Sequence, residues 1–144
     1  MAFPLNINLI IPFKDNKGER LKLYLGEMES FQGRLNNRVE ELKEELVDIF
    51  GNTFELTIAA RSDGSTKKYY WRFKSSKQNR KYNRLQADSV VEYLSGMVDK
   101  RKLRVKEMEL ELIYINANMK LLKGMKDSIE QSQNESEMLL QANI

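Results

Sequence analysis

The chain has 144 residues, 31% of them charged and 41% apolar, with two prolines, seven glycines, no histidine and no cysteine. The missing histidine removes the commonest general base and metal ligand, and without cysteine the usual zinc constellations and all disulfides go too. Length predicts a single domain over residues 1–144, and the charged, proline-poor composition suits long solvated helices better than a sandwich.

The net charge of +3 is unevenly spread. Residues 1–51 hold seven bases against nine acids and residues 87–144 hold eight against ten, each a net −2; residues 52–86 hold nine bases against two acids, a net +7. Such a local field points to an anionic partner. The apolar run Leu9-Ile10-Ile11 is far too short to span a bilayer and has no basic lead-in, so no membrane or targeting segment is expected. A chain free of cysteine fits a reducing cytoplasm.

Residues 1–15 read as an extended arm. Leu5, Ile7 and Leu9 alternate with Asn6 and Asn8, and Pro4 and Pro12 confine the arm to a short edge position. Asn16 and Glu19 then stand at capping-box spacing. A first helix is predicted over residues 17–50, with the seam Leu21, Tyr24, Met28, Phe31, Leu35, Val39, Leu42, Leu46 and Ile49. Steps of three and four make this a coiled-coil seam, with one stutter from Leu35 to Val39. Gly51 and Asn52 stop it, as residues tolerant of the left-handed conformation do.

Residues 52–84 hold two alternating runs around Asp63-Gly64, a hairpin-turn signal. Phe54, Leu56, Ile58 and Ala60 share one face with Tyr69, Trp71 and Phe73, while Glu55, Thr57, Arg61, Lys68, Tyr70, Arg72 and Lys74 share the other. The hairpin is thus apolar on one side and mostly basic on the other.

Asn83 and Gln86 repeat the capping spacing, and a second helix is predicted over residues 84–131. Its seam is Val90, Leu94, Met97, Arg101, Val105, Met108, Leu112, Ile115, Met119 and Leu122, with a stutter at Arg101. The two stutters, counted from the hairpin end, match in height and predict antiparallel helices. The second helix overhangs the first by about 14 residues at 1.5 Å each, from about Ala117. Leu110, Ile113, Ala117, Leu121 and Met125 widen its apolar arc beyond what one neighbour covers. They are the predicted homo-oligomer interface, with the N-terminal arm as the other possible cover. Residues 132–144 are expected to fray. The fold class expected is mainly α: a long antiparallel two-helix coiled-coil hairpin with a β-hairpin inserted between the helices and a short extended arm before them.

No glycine-rich phosphate loop, nucleophile elbow or calcium-loop spacing occurs. The run Glu40, Glu41, Glu44 and Glu45 reads as a solvated face, or as partners for the basic run from Lys100 to Lys106, rather than acid–base machinery. No enzyme, cofactor or metal is expected. Arg61, Lys67, Lys68, Tyr70, Arg72, Lys74, Lys77, Arg80, Lys81 and Arg84 form the one constellation that points to chemistry: cations that neutralise phosphates, interleaved with rings on which bases stack. Nucleic-acid binding by an accessory protein is the leading expectation. The alternative is a protein-binding module, for example an inhibitor of a nucleic-acid-processing or host-defence machine, using the same basic surface or the long helices. The plainest explanation of Tyr69, Trp71 and Phe73 is packing onto the helices, with the lysines guarding an exposed strand edge.

Overall fold

A computed structural model describes residues 19–64, 66–75 and 81–144. Its elements are α1 (Glu19–Phe50), β1 (Leu56–Asp63), β2 (Thr66–Phe73), α2 (Asp88–Leu94) and α3 (Asp99–Gln141). Mainly helical, with a two-stranded antiparallel hairpin between the long helices, this is the expected architecture; the arm at 1–15 and the Asn16 cap lie outside the described residues. The chain divides into two compact units, residues 34–120 and residues 1–33 with 121–144.

In the first unit the end of α1 runs antiparallel to the start of α3. Arg38 forks onto Glu111, Nε to Oε2 at 2.7 Å and Nη2 to Oε1 at 2.8 Å, and Arg104 forks onto Glu45, with Nε donating at 2.9 Å. The Glu45 pairing confirms that part of the acidic run serves the basic run opposite. Along this seam Val39, Leu42 and Leu46 pack in one buried cluster with Val105, Met108, Leu112, Ile115 and Met119. The hairpin closes over this seam with Leu56, Ile58, Tyr69 and Trp71, and Trp71 is wholly buried. Burying an aliphatic or aromatic side chain of this kind stabilises by about 1.5–3 kcal/mol, so a third layer multiplies what two helices alone can gain.

The register pairs Leu56 with Phe73, Ile58 with Trp71 and Ala60 with Tyr69 on the inner face, as the alternation predicts. Asp63 pairs with Thr66, so the strand runs one residue into the expected Asp63-Gly64 turn, and Gly64 supplies the positive φ of 66°. Gly51, at φ 73°, ends α1 by donating its N–H to the Val47 carbonyl at 2.8 Å.

The second helix departs from expectation. Instead of one helix over 84–131 there are two, because α2 stops at Leu94. There Ser95 turns its hydroxyl onto the Glu92 carbonyl at 2.7 Å and Gly96 follows, two residues that favour leaving a helix. Asn83 is no cap: its backbone pairs with Trp71, and Ala87 begins α2 without a side-chain cap. α3 then continues to Gln141 through most of the segment expected to fray. No glycine or proline interrupts residues 125–141, and pairs such as Gln131 to Glu135 at 3.0 Å link successive turns. With α2 split off, Arg101 lies over the Phe50 ring at 5.7 Å, so the match of stutter heights fails. The antiparallel arrangement stands on the ion pairs instead.

In the second unit Leu21, Met28 and Ile129 are buried together, with Tyr24, Leu25, Leu122 and Met125 half-buried against them and Lys126 Nζ 3.7 Å from Glu29. α1 therefore covers α3 as far as Ile129, and the overhang begins later than Ala117. Beyond it Met138, Leu139 and Leu140 are exposed. Among the described residues no helix is long and apolar enough to cross a membrane.

Candidate functional site

The outer face of the hairpin is built by the strand register: Thr57 opposite Arg72, Ala59 opposite Tyr70, Arg61 opposite Lys68. Lys74 extends it, its N–H donating to the Glu55 carbonyl at 2.8 Å. The Glu55 carboxylate on this face accepts from the Ser75 hydroxyl at 2.5 Å. Arg61, Lys67, Lys74 and Lys81 are exposed, and Lys68, Tyr70, Arg72 and Arg84 are half-buried. Lys67 pairs with Ser62 and so stands on the inner-face parity near the turn rather than with the others. Lys77 and Arg80 lie outside the described residues.

Asn83 carries the following segment back along β2. Its N–H donates to the Trp71 carbonyl at 2.8 Å, Trp71 N–H returns the bond at 2.9 Å, and the Asn83 amide donates to the Lys81 carbonyl at 3.0 Å. This lays Tyr82 on the outer face. Arg61 and Arg72 both hold their guanidinium carbons over its ring, at 5.9 and 5.4 Å, and Tyr70 meets it edge-on at 6.0 Å. Tyr82 thus acts as a post that aligns two arginines from opposite strands, each contact contributing about 0.5–1 kcal/mol at an exposed site. Its ring is engaged by cations rather than offered whole to a base.

Arg84 has a different job. It pairs with Glu109 of α3 and lies over Tyr70 at 5.2 Å. Glu109 is buried and also accepts the Leu85 N–H at 2.5 Å; burial pushes its carboxyl above the usual carboxylate range, against the opposing pull of the Leu85 N–H and Arg84. The buried indole N–H of Trp71 falls short of a full hydrogen bond, although it also lowers that carboxyl slightly. Asn116, also on α3, stands in for a neighbouring strand: Oδ1 accepts the Tyr69 N–H at 2.7 Å and Nδ2 donates to the Tyr69 carbonyl at 3.0 Å. The Tyr69 hydroxyl donates to Asn36 on α1 at 2.7 Å, and burial raises its pKa, with Glu40 adding to the effect. The basic strands are therefore clamped to both long helices.

Sequence reasoning missed Glu109, Asn116 and Lys120. Lys120 stands one turn beyond Asn116 and, with Lys68, Arg84 and Tyr70, lines a pocket of about 240 Å³ where β2 meets α3. A second hollow, about 800 Å³ and almost wholly apolar, lies between α2 and α3, lined by Leu85, Val91, Leu94, Leu103, Leu110 and Ile113 among others. Of the predicted oligomer residues, Leu110 and Ile113 line that groove, Ile113 and Ala117 line the basic pocket, Leu121 is exposed, and Met125 packs against α1. The chain matches no protein-family model, and no curated protein or solved structure is detectably similar to it.

Proposed function

We propose that the chain is a non-enzymatic nucleic-acid-binding accessory protein whose helices present the outer hairpin face to the phosphate backbone. The observation that carries this reading is the set Arg61, Lys68, Arg72 and Lys74 on the face away from the core, with two of the arginines aligned on Tyr82. Arg84 supports the surface from behind through Glu109. Cations fixed on a rigid sheet neutralise phosphates without first losing side-chain freedom, which suits binding by charge and shape rather than by base identity. Self-association along Leu110, Ile113, Ala117 and Leu121 accompanies the reading, favoured by the exposure of Leu110 and Leu121.

The test is salt dependence. If about five phosphates of duplex DNA are neutralised, log affinity falls against log salt with a slope of about −4.5. Reversing charge at Lys68, Arg72 and Lys74 should flatten that slope by roughly 2–3 units while the helical circular dichroism stays unchanged. Wild type that binds neither DNA nor RNA at low salt, or a triple variant that binds as tightly as wild type, would hand the basic face to a protein partner. The apolar groove between α2 and α3 favours that second reading, a protein-binding module that takes an apolar segment of its target.

A further inference from the structure

Resting on the self-association that accompanies the proposed function, we propose that the apolar groove between α2 and α3 is filled by the end of α3 from a second copy of this chain, laid antiparallel. The groove leaves Val91, Leu103, Leu110 and Ile113 exposed. The longest run of exposed apolar side chains among the described residues is Met138, Leu139 and Leu140, at 71%, 65% and 83% exposure. Three successive apolar residues left in water on a helix mark a contact surface. Tail and groove both belong to α3, a single helix over Asp99–Gln141, and a helix cannot pack onto itself, so a tail that fills the groove comes from another molecule.

Charge selects this occupant. Of the four ionisable residues that line the groove, Glu109 pairs with Arg84, Glu107 with Arg104 and Lys102 with Asp99. Lys106 is exposed and has no ion pair among the described residues. Residues 127–144 hold four acids, Asp127, Glu130, Glu135 and Glu137, and no base. On α3, Leu103, Lys106 and Leu110 follow at steps of three and four, which places them on one helix face. Read from the other end of the helix, Met138, Glu135 and Gln131 follow at the same steps. Laid antiparallel, Met138 falls opposite Leu103, Glu135 opposite Lys106 and Gln131 opposite Leu110, so Lys106 gains an acid and Leu103 an apolar cover. Among the described residues Glu135 accepts from the Gln131 amide at 3.0 Å and from no cation. The contact is isologous: each copy gives one tail and receives one, which closes the pair as a dimer.

The experiment is sedimentation of the full chain and its variants over a concentration series reaching high micromolar, with helical circular dichroism as the control for folding. Wild type should run as a dimer. Met138→Glu with Leu139→Glu should raise its dissociation constant about a hundredfold, and Leu103→Glu, at an exposed position of the groove, should do the same. Lys106→Glu and Glu135→Lys should each weaken the dimer about tenfold, and the two combined in one chain should recover to within about threefold of wild type, because the swap restores opposite charges. If Ile113→Glu with Leu121→Glu dissociates the dimer and the tail changes do not, the self-association stands and the tail assignment fails. A combined charge variant no tighter than either single one, or a wild-type species larger than a dimer, also overturns the reciprocal pair. A wild type that stays monomeric removes both.

Discussion

Among the described residues, the two compact units use the same pair of helices and differ in what is laid over them. Among the described residues, fifteen apolar side chains are buried together in the unit of residues 34–120, against three in the unit holding 19–33 and 121–144. A two-helix seam buries a narrow strip on each helix and leaves the flanks wet. Adding the β-hairpin and α2 turns that strip into a core with a third side, which is why Trp71 and Val90 reach full burial. The basic face stands on the thicker unit, where its backbone is fixed from beneath.

The contrast is broken or sharpened first by cavity-forming changes. Leu42→Ala or Met108→Ala should cost about 2–5 kcal/mol, because both side chains are fully buried and the layered core cannot collapse onto the gap. Met28→Ala in the other unit should cost roughly 1 kcal/mol, since among the described residues only Leu21 and Ile129 are buried with it and the smaller cluster can close in. Urea unfolding of the three variants decides the matter, and equal losses at Met28 and Met108 would erase the distinction.

Next comes the buried ion pair that ties the hairpin to α3. Arg84→Ala leaves Glu109 buried with only part of its hydrogen bonding and should cost about 2–4 kcal/mol at pH 7. Burial already holds that carboxyl above its ordinary pKa, and losing Arg84 raises it further. A carboxyl whose folded pKa exceeds its unfolded value destabilises once pH rises through the folded pKa, and contributes nothing below the unfolded value of about 4.3. The deficit of Arg84→Ala should therefore narrow as pH is lowered from 7 towards 4, in paired thermal melts. A deficit that widens would contradict the buried-carboxylate account.

Self-association gives a smaller and conditional effect. Wild type should sediment as a homo-oligomer at high micromolar concentration, and the double change Ile113→Glu, Leu121→Glu should yield a helical monomer, because a charge in an apolar contact is costly. A monomeric wild type at that concentration would leave the stripe to another partner.

The hairpin was legible because period two, the aromatic residues and the Asp63-Gly64 turn agree, and only the turn position slipped by one residue. The helix break was not. The steps Val90, Leu94, Met97 and Arg101 continue the seam across Ser95-Gly96, and periodicity cannot separate two packed helices from one. The overhang was misplaced for the same reason, since splitting off α2 moves α3 along α1. The cations of the basic face were visible as charge, but Arg84 could not be told from Arg72 until its partner Glu109 was placed by the third layer. Asn116 and Lys120 sit beside the seam on a helix whose neighbour on that side is nonlocal in sequence. A polar residue flanking Ile115 and Met119 was the one available hint.

The smallest effect belongs to the ion pairs that line the helix seam. Glu111 accepts a fork from Arg38, whose guanidinium holds its carboxyl below the usual range and is itself held further from deprotonation. A lowered folded pKa contributes stability above the unfolded value, about 4.3, and loses it as pH falls through the folded one. The side chains are 39% and 35% exposed, so water and salt screen most of the attraction. Glu111→Gln should cost under about 1 kcal/mol at pH 7 and low salt, less at high salt, and progressively less as pH falls through the folded pKa of that carboxyl. The neighbouring apolar contacts of Leu112 and Met108 are unaffected by either condition. If instead Glu111→Gln costs as much as Arg84→Ala and ignores salt, the seam's ion pairs hold the helices together and the hairpin layer is not what distinguishes the two units.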